Sequence, residues 1–452
     1  MFRKTFSDKV FLKTLTTLAL PIVLQNLISF SVSMTDTVML GFVGQGEMAA
    51  ATLANAFFFV VGLMIFGFQS GESVLISQYW GKQDKKSISR ILGIAWACVL
   101  AITLSVAAFA IIAPQAVMRI FSNETHIIEM GARYVRAVAI AYPLNAFTSI
   151  YVSAHRSMEN PKLGLFVFAS SAIINVVVNY IFIFGAFGFP KLGVVGAAVG
   201  TVSARIIEFA IVMVYIFVNK IFKIDFKALF KPGKDMVKDF FRYATPVIFN
   251  ETMWGMGFSS LSAIYGRMGS DVVAAITICR NIESVLNVVS LGIGNAAVVI
   301  IGTQLGRGDT KTVMETAKKL LVVTGCASLF SATMILILAN PVIHLFDFSE
   351  TTNALAFAAI CIYAARMVPM NVNMTAIVGV LRGGGDTRTA MLIDVLPLWL
   401  VTVPLAAIFG LVLKLPPVFA FTPNFIEDCI KTVISFKRVR SGLWINNITR
   451  GA

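Results

Sequence analysis

Charge is scarce in this sequence. Only 13% of the 452 residues are Asp, Glu, Lys or Arg, while 57% are hydrophobic. A soluble domain carries roughly 25% charged residues. Length alone would accommodate about three soluble domains, but so few polar side chains could not cover them. Histidine is scarcer still: His126, His155 and His344 are scattered near predicted helix ends. The five cysteines, Cys98, Cys279, Cys326, Cys361 and Cys429, make no CxxC and no metal-ligand spacing. Most fall in predicted helices and read as small apolar filler, so no structural metal is expected. There is no GxxxxGK[ST] loop to cradle phosphates and no HExxH. That sets aside ATP bound by this chain as an energy source and favours an ion gradient. No cofactor is expected beyond a coupling ion.

What the sequence does have is long apolar runs and a mean hydropathy of +0.83. Runs of about 20 apolar residues read as transmembrane helices. Twelve are predicted: 12–40, 47–77, 88–113, 127–155, 162–187, 193–218, 238–266, 271–302, 313–339, 352–381, 388–413 and 416–436. The last holds Pro423, Asn424, Glu427 and Asp428 and is expected to be short, tilted or interfacial. The opening MFRKTFSDKV precedes an apolar run too long for a signal peptide, without a convincing small-residue cleavage site. It is expected to remain as the first helix.

The net charge of +14 is a topology signal rather than a nucleic-acid footprint. With a cytoplasmic N-terminus, 28 of the 37 Lys and Arg residues fall in inside segments or the adjoining cytoplasmic ends of the helices, and only Arg119, Lys191, Arg267 and Lys414 in outside loops. That asymmetry is the positive-inside rule. It predicts a multi-pass protein of the cell membrane with both termini cytoplasmic, in contact with lipid headgroups and not with nucleic acid.

The chain is also written twice. At an offset of 225, Pro21 falls on Pro246, Gly41 and Gly44 on Gly266 and Gly269, Ala49 and Ala50 on Ala274 and Ala275, and Gly81 and Asp84 on Gly306 and Asp309. One residue of slippage later, Arg156 falls on Arg382. Six helices per copy make the repeats parallel. The expected organisation is an all-α polytopic membrane protein: an amino-terminal six-helix lobe (1–218), a basic linker (219–237) and a carboxy-terminal six-helix lobe (238–452). The linker stretch NKIFKIDFKALFKPGKDMVK is the most basic of the chain and reads as a cytoplasmic surface helix. Pseudo-symmetric lobes around a central cleft suit alternating access.

Ionisable groups inside apolar helices cost about 2.5–3.5 kcal/mol each on insertion scales and point to function by default. Glu251 lies mid-run in ATPVIFNETMWGMG, and Asp36 in SVSMTDTVMLG. Each reads as a cation or proton site, or as an acid held within its own lobe or at the headgroups. Ser33 is the best-placed helical neighbour of Asp36. Asn175 and Asn179, four apart on one face, offer carbonyl oxygens to an ion or hydrogen bonds to a neighbouring helix; Thr201 is a weaker candidate. Arg205 with Glu208, and Arg280 with Glu283, sit three apart and read as local ion pairs. Glu72, Arg366 and Asp394 have no evident partner, and Glu72 is a candidate for the cleft. Met253, Trp254 and Met256, with Met367 and Met370 at helical spacing, suit a wall that accepts many apolar shapes, or ordinary packing. Pro21 and Pro246 occupy one repeat position, where mid-helix proline predicts a kink.

These stretches resemble the multidrug and toxic compound extrusion (MATE) family of cation-coupled antiporters. The resemblance rests on LALPIVLQNL, MTDTVMLG, ISQYWGKQDKK, NVVVNYIFIFG, PVIFNETMWG and LRGGGDTR, in order along nearly the whole chain. It implies two six-helix lobes in a V that export drugs and toxins, often organic cations, in exchange for sodium or protons, as a monomer. By resemblance, Asp36, Asn175, Asn179 and Thr201 match the amino-lobe cation site. Many members carry aspartate where this chain has Asn179, which leaves Asp36 the only acid of that quartet. Glu251 matches a carboxylate implicated in coupling in another branch, and Asp386 a further acid. The alternative is a lipid-linked precursor flippase of the related fold group, which needs a cleft rich in basic residues. An integral-membrane enzyme would need a His, Asp or Ser cluster at a membrane face, and an interaction scaffold would not explain the buried acids.

Overall fold

The computed structural model describes residues 2–343 and 350–449; His344 lies outside them. Every regular element among the described residues is helical. Each apolar run of the sequence holds one long helical segment. These are α1 (Lys9–Val43), α2 (Gln45–Gly81), α3 (Lys85–Ile112), α4 in two pieces (Thr125–Val138 and Ala141–Ser157), α5 (Lys162–Phe184) and α6 (Val194–Val218). They are followed by α7 (Lys234–Met268), α8 (Ser270–Gly306), α9 (Thr310–Ile343), α10 (Glu350–Asn373, continued by a π-helical stretch Met374–Leu381), α11 (Thr387–Val412, with π-helical turns) and α12 (Pro417–Ser441).

Among the described residues nine helices are long and apolar enough to cross a membrane, and α4, bent by 47°, makes a tenth. The other two of the twelve expected spans, α7 and α12, are long enough, at 35 and 25 residues, but more polar. Glu251 of α7 and Glu427, Asp428 and Lys431 of α12 are buried in the ion pairs described below, while charges such as Lys234, Lys238 and Arg267 of α7 and Lys437 and Arg440 of α12 are exposed. The 25 residues of α12 are more than a short span needs. The bend in α4 has a local cause. Pro143 lacks the N–H that would bond the Ala139 carbonyl, and the break falls at residues 139–140. By contrast α1 and α7 continue through Pro21 and Pro246 without a break in their helical runs.

The repeat is visible in the helix ends. α1 and α7 are both 35 residues, α2 and α8 both 37, and α3 and α9 begin 225 residues apart. The matched residues have matched jobs. Asp84 accepts the backbone N–H of Ser87 at 3.0 Å, and Asp309 that of Thr312 at 3.3 Å, so each caps the helix that follows. Gly81 and Gly306 let the last turns of α2 and α8 touch backbone to backbone. A Cβ on Gly81 would lie 2.2 Å from the Thr303 carbonyl oxygen, and one on Gly306 1.9 Å from that of Gln78. Overpacking of this kind costs about 1–3 kcal/mol. Gly306→Ala is therefore expected to lower the thermal midpoint of the purified protein. Gly62→Ala, where a Cβ meets nothing within 4 Å, is not.

Contacts divide the chain into two compact units. The first comprises Leu24–Glu72 and Asp84–Arg242, the second Met1–Val23, Ser73–Gln83 and Tyr243–Ala452. These differ in detail from the two repeats: the amino-terminal part of α1 and the last turns of α2 cluster with the second unit. In α1 the change falls two residues after Pro21. Ion pairs of Lys4 with Glu315 at 3.1 Å and of Lys319 with Asp8 at 2.8 Å hold the amino-terminal stretch within that unit. The core of the first unit gathers Phe58, Val117, Met118, Val135 and Ile183. The second has two apolar clusters, one around Leu320, Val380 and Trp444, the other around Tyr265, Ile335 and Phe421.

Candidate functional site

Within the first unit, α1, α2, α4, α5 and α6 enclose a cavity of about 450 Å³. Its walls carry Asp36, Asn55, Tyr134, Asn175, Thr201, Arg205 and Glu208. Asp36 is not held by Ser33, as helix spacing suggested. The Ser33 hydroxyl donates to the Ser29 carbonyl of its own helix at 3.2 Å, as serines in membrane helices commonly do. The partner of Asp36 comes from α5: Asn179 Nδ2 donates to Asp36 Oδ1 at 2.6 Å and to Asn175 Oδ1 at 3.1 Å. The Thr201 hydroxyl lines the cavity and donates to the Ala197 carbonyl at 3.1 Å. Three of the four candidate groups are thus joined in one hydrogen-bonded chain, and the fourth shares the same space.

Gly200 makes this possible. A Cβ there would lie 1.9 Å from Asn179 Oδ1, an oxygen that is buried and has no hydrogen-bond partner. Gly200→Ala is expected to push the Asn179 amide away from Asp36 and, with Asp36 as the proposed cation or proton site, to weaken binding there about 10-fold or more, as loss of a ligand's supporting hydrogen bond does. Isothermal titration with sodium at several pH values would measure it; wild-type affinity in the variant would break the link between Gly200 and the site.

The Arg205–Glu208 pair forms as expected, at 2.6 Å, with Glu208 fully buried. It stands in the cavity wall, a placement that the spacing alone does not reveal. One carboxylate among neutral oxygens, with a neutralised arginine beside it, suits a proton or a monovalent cation. Among the described residues no three His, Cys, Asp or Glu side chains converge as metal ligands would.

In the second unit the ionisable groups form a linked network. Arg382 Nη1 donates to Glu251 Oε1 at 2.8 Å. Next along α7, Asn250 Nδ2 donates to Asp394 at 2.8 Å. Asp394 also takes Lys431 at 2.6 Å, and Lys431 reaches Glu427 at 2.5 Å, four residues before it on α12. Glu427 accepts the Thr402 hydroxyl. Its sequence neighbour Asp428 pairs with Arg366 at 3.0 Å, and Arg366 reaches Glu283 at 4.0 Å. None of these eight side chains is more than 18% exposed. Five acids face three bases.

Sequence spacing misses most of these partners. Glu283 pairs with Arg366 and not with Arg280, whose guanidinium lies 4.1 Å over the Phe258 ring and donates to Ser262 at 3.1 Å. Asp394 and Arg366 find their partners on α12. The one signal in the sequence was there: Asn424, Glu427, Asp428 and Lys431 recur at three and four residues, the spacing of a single helix face. Asp386 pairs with Arg438 at 2.7 Å, away from Glu251.

The remaining candidates are dispersed. Glu72 is fully buried, with Arg156 and Ser153 near its carboxylate. Trp254 and Met256 are exposed, Trp254 stacking on Phe258. Met253 offers its carbonyl to the Trp399 indole at 3.2 Å. Met367 is packed in the apolar core of the second unit, and Met370 is half-buried three residues along.

With fold and geometry in place, the chain can be compared with known proteins. The MatE family model matches residues 21–181 and again 246–408, one match per repeat. A relative from Neisseria meningitidis serogroup B, the probable multidrug resistance protein NorM, is 26% identical over 87% of both chains. The protein of the same name from Thermotoga maritima is 23% identical over 96% of this chain and 93% of its own. Among solved structures, the outward-facing conformation of a multidrug resistance MATE family transporter of the MOP superfamily superposes with a TM-score of 0.85. It is 17% identical and covers 95% of this chain and 96% of its own.

Proposed function

The chain belongs to the MatE family, and from that premise we infer that it exports small organic compounds, often cationic, in exchange for sodium or protons by alternating access. It is an all-helical, multi-pass membrane transporter. The relatives it resembles are named as multidrug resistance proteins, which supports drugs and toxins as the exported class. The distribution of Lys and Arg supports an orientation with both termini cytoplasmic in the cell membrane.

The observation that carries the coupling is the polar cavity of the first unit. Asp36 lies in that cavity with a hydrogen-bonded amide, Asn179, and the Arg205–Glu208 pair in the same wall. A proton or cation arriving at Asp36 neutralises a half-buried carboxylate. It then biases the equilibrium between states that expose the cavity to opposite sides, as any ligand with differential affinity must. Glu251 enters differently from a free carboxylate. A cation can take it only by displacing Arg382, so ion binding there rearranges the network. Pro21 and Pro246 lie beside the places where α1 and α7 pass between the compact units; they are the proposed flexion points.

The flippase alternative needs unpaired basic groups for a pyrophosphate. Arg205 and Arg366 are each held by acids, and Arg280 by an aromatic face and a hydroxyl, which weighs against it. The test is efflux of a fluorescent organic cation from loaded vesicles under imposed sodium or proton gradients. Acceleration by one gradient is expected and identifies the ion; indifference to both would refute antiport.

A further inference from the structure

A second cavity, of about 600 Å³, lies elsewhere in the first unit and has almost no polar lining. Its wall is formed by α3, by the end of α6, by the basic linker and by the start of α7; Trp96, Cys98, Phe217, Leu229, Phe230 and Phe241 are among its residues. The linker is fixed over it. Lys85 donates to the Ile221 carbonyl at 3.0 Å, and the Asp225 N–H to the Ser89 hydroxyl at 3.1 Å. A Cβ at Gly93 would meet the Leu229 carbonyl oxygen at 2.2 Å, so the short linker helix Phe226–Phe230 rests directly on α3.

The rim of this groove is cationic. Ile224, Phe226, Phe230 and Val237 line it, and each is flanked in sequence by a lysine: Lys223, Lys227, Lys231 and Lys238. Lys220 and Lys234 complete a set of six exposed lysines, set against Asp225, Asp235 and Asp239, so residues 220–239 carry a net of three positive charges. None of the six forms an ion pair among the described residues. An apolar slot walled by membrane-spanning helices and flanked by a net-positive linker is ill suited to a cationic drug. It matches an apolar chain that carries an anionic head.

We infer that this groove holds an acyl chain of an anionic phospholipid, with the headgroup against the linker lysines. Each lysine near an anionic membrane surface favours binding by about five-fold, and the slot removes the chain from the bulk bilayer. The bound lipid would join α3, the end of α6 and the linker, and α6 also carries Thr201, Arg205 and Glu208 of the Asp36 cavity. This inference does not depend on which ion drives transport.

The experiment uses the full-length protein in nanodiscs of equal phosphatidylglycerol and phosphatidylcholine, with retained lipids read by native mass spectrometry after mild extraction. Phosphatidylglycerol is expected to be retained at least five-fold over phosphatidylcholine. The variant Lys227→Gln/Lys231→Gln/Lys234→Gln should lose that preference. Ala97→Trp, which fills the groove from α3, should lower retention of both lipids. Alkylation of Cys98, followed by peptide mass, should be slower in phosphatidylglycerol than in phosphatidylcholine discs, and equal in the lysine variant. Equal retention of the two lipids by the wild-type protein would mean ordinary boundary lipid only and would overturn the proposal. So would a lysine variant that keeps the wild-type preference.

Discussion

Arg382→Met should destabilise the protein by about 3–5 kcal/mol, because it strands Glu251 as a buried charge without its partner. Arg382 is 1% exposed and the Glu251 side chain 11%, so water cannot take the place of the guanidinium. The Glu251→Gln variant takes the opposing charge from Arg382 but leaves it a hydrogen-bond acceptor, and should cost less. The double variant Arg382→Met/Glu251→Gln removes both charges and should recover most of the loss, since an uncharged pair of similar volume carries no desolvation penalty. Thermal denaturation in one detergent, followed across all four proteins, gives the cycle. An Arg382→Met midpoint within error of the wild type would show that the pair is not what holds α7 to the end of α10. The same cycle separates structure from transport. A double variant that is stable but no longer couples efflux to a gradient assigns the charge of Glu251 to the mechanism.

For Asp36→Asn the expected loss lies in coupling, with stability largely kept. The variant retains a side chain that can hydrogen-bond Asn179 but gives up the only acid of the Asp36, Asn175, Asn179 and Thr201 set. A unit charge about 4 Å from a bound cation is worth roughly 4 kcal/mol at an effective dielectric of 20, or about 1,000-fold in affinity. Gradient-driven efflux in vesicles should therefore fall to the rate seen without a gradient, while the protein remains folded by the thermal assay. Gradient-dependent efflux at the wild-type rate would remove Asp36 from the coupling mechanism.

The residues differ in how plainly the sequence announces their roles. Helix positions were legible because apolar runs of bilayer length have few alternatives, and the 225-residue offset marked Gly81, Asp84, Gly306 and Asp309 before any contact was known. Local pairs were legible only in part. Arg205–Glu208 formed, but Arg280 turned to Phe258, because an aromatic face and a hydroxyl outcompeted the acid one turn away. Partners from distant helices were not legible from spacing; only the family resemblance put Asp36 and Asn179 in one site. Nothing in the sequence near Asp36 names Asn179, 143 residues on, as its donor; the link required Gly200 to clear the space. The polarity of α12 looked like weakness in a membrane helix, whereas its charges complete Asp394 and Arg366.

The crossing of α2 and α8 also sets an order on biosynthesis. Gln78 is fully buried. Its side chain donates to the carbonyls of Gly383 and Asn446 and accepts the N–H of Ile448. All three partners are made more than 300 residues later. The 305 residues from Gln78 to Gly383 alone take roughly 15–60 s to synthesise at about 5–20 residues per second. Until then the last turns of α2 carry a polar side chain and a backbone-sized notch with nothing to fill them. The nascent amino-terminal repeat must be sheltered during that interval, by the insertion machinery or by lipid, so the chain matures only after its second copy has been delivered.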